Sequence, residues 1–242
     1  MGLERNSRLA AFAARIAGTG GGLAVAAVVG AHFGAVAPFV GFRAFLLGTL
    51  IAVIGGVLGA FGVRATRGGV RGRDRAWFAV LVGALALAGV LSAALPARDA
   101  PRINDFTTNP ADPPLFEYAK RDPDTRNRDY SYPAGFAEQQ AVAYPDLEPI
   151  TLAMPPAEAY EKARSAVESL GWHITLAEPT RGVIEARDTS KLFRFVDDIA
   201  IRVRPGAGGG STIDIRSKSR DGQGDMGINT KRIRTFTNTL VH

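Results

Sequence analysis

Hydrophobic and polar positions divide the chain into two regimes. Three stretches carry no fixed charge: 27 residues between Arg15 and Arg43, 20 between Arg43 and Arg64, and 22 between Arg75 and Arg98. A helix needs about 20 apolar residues to cross the hydrocarbon core. Its backbone groups must be satisfied within the segment. The pattern predicts three transmembrane helices, at about 18–40, 44–63 and 76–97, in a membrane domain spanning 1–98. Gly18, Gly20, Gly21 and Gly22 dilute the first, which also fits a cleaved signal segment headed by Arg5, Arg8 and Arg15.

The period changes after residue 98. Residues 99–149 hold eight of the fourteen prolines, with aromatic residues scattered among many charges. Prolines break long helices, and a disordered linker has few aromatics. The segment reads as an extended arm lying on the folded domain or on a partner. Residues 150–242 then alternate clearly. A short strand, over 147–153, precedes a helix opened by Pro155-Pro156, with Tyr160, Ala163, Val167 and Leu170 on one stripe and Gly171 as its stop. Strands follow over 172–177 and 183–188, then a hairpin of 193–204 and 211–219. A closing helix over 226–240 has Asp225 as its N-cap. The order β-α-β-β-β-β-α predicts an α+β domain, an antiparallel sheet with two helices on one face. The TATA-binding-protein-like arrangement has a similar order, a likeness of topology and not of function.

Charge separates the same halves. The chain carries a net +6. Residues 1–98 hold ten arginines and two acids; the rest holds 19 basic and 21 acidic residues. The high pI therefore comes from the ends of hydrophobic segments. A nucleic-acid partner, which would need a basic face on the folded domain, is not expected. Arg5, Arg8 and Arg15, with Arg64, Arg67, Arg71, Arg73 and Arg75, place the amino terminus and the second loop in the cytoplasm. Residues 99–242 then lie outside. With no cysteine there is no disulfide or thiolate chemistry. Small residues at four-residue spacing (Gly18/Gly22, Gly30/Gly34, Gly55/Gly59 and Gly48/Ala52/Gly56/Ala60) allow close helix packing, within the anchor or against a partner.

The chemistry concentrates near the end. Alternation puts Asp197 on the apolar face of its strand with Phe195, Ile199 and Ile201, and Asp198 on the other. A buried carboxylate needs a partner. Ser217 and Ser219 share one face of the next strand, and Asn229 and Arg232 lie on or beside the apolar stripe of the closing helix. The expectation is that Ser217, Asn229 and Arg232 surround Asp197, while Asp198 pairs with Arg216. This is either a structural network or a ligand site. Gly222, Gly224 and Gly227, leading into a helix amino terminus beside Arg220 and Lys218, form a candidate anion-binding loop. The same glycines match GxGxxG, but no second strand follows, which rejects a dinucleotide fold. Asp221-x-Gln223-x-Asp225 fails as a calcium loop because Met226 replaces the glycine and Arg232 the glutamate. With His32, His173 and His242 far apart, no metal site, cofactor or catalytic constellation is expected.

Phe195-Val196-Asp197-Asp198, Arg216-Ser217-Lys218-Ser219-Arg220 and Asp225-Met226-Gly227-Ile228-Asn229-Thr230-Lys231-Arg232-Ile233 resemble domain-of-unknown-function family 1499. Ile103–Pro114 and Ala143–Asp146 are similar to its bacterial branch. Asp221 stands where the family pattern has an apolar residue, and Arg194 where it has glycine. The resemblance implies frequent membrane tethering and no agreed activity. It makes the outer compartment a periplasm bounded by the bacterial inner membrane. The expected function is a non-enzymatic accessory or assembly factor, contacting the lipid bilayer and a membrane protein complex. The alternative is a module binding anionic lipid headgroups or cell-envelope phosphates.

Overall fold

A computed structural model of the chain describes residues 6–95 and 97–241. Arg5, used in the orientation argument, and His242 lie outside the described residues. Contacts divide the chain into two compact units: 1–96 with the short segment 191–194, and 97–190 with 195–242.

The first unit is three helices: α1 (Arg8–His32), α2 (Pro38–Ala65) and α3 (Arg73–Ala94). Each is long and apolar enough to cross a membrane, so the chain reads as a membrane protein. The helices do not follow the charge-free windows: α1 starts before the first window and ends well short of Arg43, and α2 already begins inside that window, because chain breakers and caps set a helix end while charge sets only its hydrocarbon-compatible part. Ser7 starts α1 by accepting from Ala10 N at 3.1 Å. Pro38, whose missing N–H costs nothing at the first turn, starts α2. Arg8 and Arg15 therefore sit inside α1 and Arg43 inside α2, where its guanidinium covers the Phe39 ring at 4.3 Å.

Small side chains let these helices touch. The buried residues of α1 are Ala10, Ala13, Ala17, Gly20, Ala24, Ala27 and Ala31, alternating steps of three and four along one stripe. They meet Gly48, Ala52 and Gly55 of α2. A Cβ on Gly20 would stand 2.3 Å from Ala52 N, and one on Gly55 2.4 Å from Ala17 N. On the other side of α2, a Cβ on Gly56 would stand 2.9 Å from Gly83 Cα of α3. Of the rows expected from the sequence, those in α2 form these seams. Gly22 faces open space, and Gly18 meets only the Phe78 ring.

The second unit holds β1 (Asp105–Thr107), α4 (Tyr118–Arg121), α5 (Phe136–Ala143), β2 (Ile150–Leu152), α6 (Pro156–Ser169), β3 (His173–Glu178), β4 (Val183–Thr189), β5 (Val196–Pro205), β6 (Ser211–Ser219) and α7 (Ile228–Val241). From β2 onward this is the expected α+β order. The antiparallel sheet has six strands in the order β1-β6-β5-β4-β3, with β2 also paired to β6. The additional strand, β1, comes from the proline-rich arm and pairs Phe106 with Ser217.

Alternation gives the sheet two faces. Ile184, Ala186, Ile199, Ile201, Val203, Ile213 and Ile215 pack with Tyr160, Ala163 and Val167 of α6 and with Ile233, Phe236 and Leu240 of α7. Trp172 stacks on Phe236. The opposite face is covered by the arm, whose Phe116, Ala119 and Tyr130 bury Ala200. The domain is thus helices, sheet and arm in three layers. β5 begins at Val196, three residues later than its pattern suggests, after Arg194 at φ 62°. That left-handed backbone is why glycine suits position 194.

Gly55→Leu should disrupt the α1–α2 seam, because the new side chain meets backbone rather than a movable group. The expected cost is on the order of 1–3 kcal/mol or more, read as loss of a monodisperse, heat-stable species in detergent. Gly22→Leu, facing open space, should leave that species unchanged.

Candidate functional site

The sequence-predicted residues form two knots, one on each face of the sheet. On the helix-covered face, register brings Asp188 of β4, Asp197 of β5 and Ser219 of β6 side by side. Arg232 reaches down from α7. Its Nε donates to Asp188 at 3.1 Å, and Nη1 donates to Ser217 at 3.1 Å and Asn229 Oδ1 at 2.7 Å. Its Nη2 donates to Asp188 at 2.9 Å and Asp197 at 2.7 Å. A guanidinium has five N–H donors, and all five are engaged. Ser217 Oγ donates to Asn229 Oδ1 at 2.6 Å, and Asn229 Nδ2 donates to Ser219 Oγ at 2.9 Å. Burial pushes the Asp197 carboxyl above its usual range, while Arg232 and Ser219 pull it back.

Asp225 performs the capping expected of it from two residues further out. Its carboxylate accepts from Gly227 N at 2.9 Å and Asn229 N at 2.5 Å. α7 therefore starts at Ile228, after Met226 and Gly227 in the left-handed region. Burial holds this carboxyl up as well. Two of the N–H groups at the start of the helix, those of Gly227 and Asn229, are thus taken by the chain's own carboxylate. Gly222 contributes a carbonyl, accepting from Asn104 Nδ2 at 2.7 Å. A Cβ on Gly224 would stand 3.6 Å from Arg102 Cα.

On the arm-covered face the expected Asp198–Arg216 pair does not form. Asp198 is bound in a fork by Arg220, through Nε at 2.9 Å and Nη2 at 2.7 Å, and accepts from the Tyr130 hydroxyl at 2.6 Å. Arg216 forks onto Asp105 of β1 at 2.9 and 2.7 Å, and Lys218 joins Asp105 at 3.0 Å. Arg216 is 1% exposed. It also donates to the carbonyls of Pro114 and Tyr130, with the Phe116 and Tyr132 rings against its plane. The pairing differs because β1 lies beside β6 and sets Asp105 opposite Lys218 and diagonal to Arg216. Burial pushes the Tyr132 hydroxyl up to about 12.

Two further buried acids, Glu185 and Asp214, join the site without having been singled out from the sequence. Glu185, fully buried on β4, accepts from the N–H groups of Glu117, Tyr118 and Ala119 and so holds the start of α4. Asp214 gathers Arg202, Arg204 and Asn109. An acid on an otherwise apolar strand, as at 185 and 214, is the same signal that singled out Asp197. The partners of Glu185 and the Asn109 contact of Asp214 lie in the arm. Among the described residues, no group of three or more His, Cys, Asp or Glu side chains is placed to hold a metal ion. The carboxylates are all met by cations or N–H donors, which suits pinning layers together better than proton transfer.

Arg216→Met should leave Asp105 buried with only Lys218 and cost about 3–5 kcal/mol. The measurement is the melting midpoint of the detergent-solubilised chain, with limited proteolysis to detect release of the arm. An unchanged midpoint and cleavage pattern would refute the pinning role. Glu185 gives a pH signature. Burial holds its carboxyl above 4.5 when folded, against the pull of its three N–H donors. The folded state therefore binds the proton more readily than the unfolded chain, and stability falls as pH rises from 4.5 through the folded value. Glu185→Gln should flatten that fall in melting midpoint; an unchanged slope would mean that another group titrates.

The domain just described coincides with a known family. No curated protein matches the sequence. The model of a family described as a protein of unknown function, DUF1499, matches residues 105–240, from the first residue of β1 to the end of the α7 stripe. The match takes in both knots and the arm that joins them, and covers more than half of the chain; the chain belongs to the DUF1499 family.

Proposed function

We propose that the chain is a protein of the bacterial inner membrane, with its amino terminus cytoplasmic and its outer domain periplasmic. It serves as a non-enzymatic accessory or assembly factor of a membrane complex. One observation carries the non-enzymatic part: Arg232 commits every N–H to neighbouring side chains, and Asp197, Asp198 and Asp225 are each held by cations or backbone. Catalysis needs a group with access to substrate and a proton to move. Here the polar residues of the motif are engaged with one another instead. The small residues of α2 are likewise committed within the anchor, so the outer domain is the better surface for a partner. Arginine placement supports the orientation.

A second reading, binding of anionic lipid headgroups or envelope phosphates, draws on a different observation. Three cations, Arg128, Lys218 and Arg220, line one cavity on the outer domain. In this reading the anion site is that cavity, since Asp225 already occupies the amino terminus of α7.

The chain has no cysteine, and Val142 is 86% exposed on α5. Val142→Cys should react with a membrane-impermeant maleimide from the periplasmic side. A cross-linker attached there should capture a discrete membrane protein, identified by mass spectrometry. Labelling only after the inner membrane is breached would overturn the orientation, and recovery of the chain only as itself would overturn the assembly role.

A further inference from the structure

Beside the Asp198–Arg220 pair lies a partly open cavity of about 240 Å³, walled by Arg128, Lys218, Arg220, Asn104, Tyr130 and Asp129 among others. It is smaller than the roughly 300–1,000 Å³ typical of drug-sized ligands, and suits one compact polar group. Three of its wall residues are cations. The carboxylates that hold them stand elsewhere. Asp105 is bonded to Lys218 and Asp198 to Arg220, and both are buried; Asp221 meets Arg128 at 3.3 Å. None of the three lines the cavity.

Donors are left over on the cavity side. Arg220 reaches Asp198 through Nε and Nη2, so Nη1 is not used by that fork. Lys218 gives one of its three ammonium protons to Asp105. The single carboxylate on the wall, Asp129, has one oxygen taken by Ser131 N at 2.8 Å and the other by Ser131 Oγ at 2.9 Å. These bonds, with the nearby Lys218 ammonium, hold its carboxyl below the usual range, so it stays ionised and an arriving anion must outcompete it for Lys218. Cations fixed from behind by buried carboxylates lose little freedom when an anion arrives. Phosphate oxygens suit such donors, because charge-assisted hydrogen bonds to them are short and strong.

We propose that this cavity binds a phosphate group, with Lys218 and Arg128 as the recognising cations and Arg220 as a third, fixed by Asp198. The proposal rests on the anion-binding reading above and gives it a place and a ligand chemistry. Free phosphate and a phospholipid headgroup share that chemistry.

The test uses the full chain in zwitterionic detergent at constant ionic strength. It is titrated calorimetrically with inorganic phosphate and, separately, with dihexanoylphosphatidylglycerol. Saturable binding of at least one probe is expected, and the probe that binds identifies the source. Arg128→Gln and Lys218→Met should each weaken binding about tenfold or more, the loss of one charge-assisted hydrogen bond. Arg164→Gln, on the exposed side of α6, should leave it unchanged. Arg128 is a surface side chain, so its variant stays informative if Lys218→Met fails to fold. Saturable binding that Arg128→Gln leaves intact overturns the cavity while sparing the anion reading. No binding of either probe overturns both.

Discussion

A charge taken out of water must be met by partners, and the α+β domain buries two arginines on opposite faces of one sheet. Arg232 ties α7 to β4, β5 and β6 by binding Asp188 and Asp197. Arg216 ties the arm to β6 by binding Asp105. Removing one member of such a pair costs about 3–5 kcal/mol, comparable with the whole stability of many domains. The pairs are also directional. A guanidinium with every N–H engaged accepts one arrangement of neighbours, whereas isoleucine on isoleucine tolerates sliding. The apolar core between the sheet and its two helices supplies the driving force for burial. The arginines fix which arrangement results.

The same constraint explains why the domain has three layers. A sheet face that alternates Asp198, Ala200 and Arg202 with Asp214, Arg216 and Lys218 looks suited to water. It is instead buried under a proline-rich arm, because that arm brings what the charges need: Asp105, the Tyr130 hydroxyl, backbone carbonyls for Arg216, and backbone N–H groups for Glu185. Proline suits this work. It keeps the stretches between α4, α5 and the strands out of helical turns, which leaves carbonyls such as that of Pro114 available. The membrane unit obeys a different rule. In hydrocarbon, burial of apolar groups gives no advantage, so contact depends on close approach. Alanine and glycine along α1 and α2 provide that approach, and larger side chains remain on the outer surfaces.

Much of the knot on the helix-covered face was legible. A period of two put Asp197 with the apolar residues of β5, and a period of 3.6 put Asn229 on the inner stripe of α7, with Arg232 beside it. Two elements in chain succession can meet on one face only if those residues face each other. The knot on the arm-covered face was not legible in the same way. Asp198 and Arg216 sit on the correct face, but each takes another partner. β1 inserts Asp105 beside β6, and Arg220 reaches back past the end of the hairpin. Asp225 was legible as a cap. That its capping would use up the anion site required the backbone at Met226 and Gly227, where the left-handed turn points both N–H groups at one carboxylate.

The sequence by itself determined three helices apolar enough to cross a membrane, the order of elements from β2 to α7, and which face of its strand each candidate charge occupies. These depend on local period and on the cost of charge in an apolar setting. Only the tertiary structure decided the pairing of the charges, the burial of the second sheet face and the position of the leftover donors. Those depend on where residues far apart along the chain come together, as Asp105 and Arg216 do across 111 positions. No local pattern encodes that distance; the arm's path across the sheet sets it.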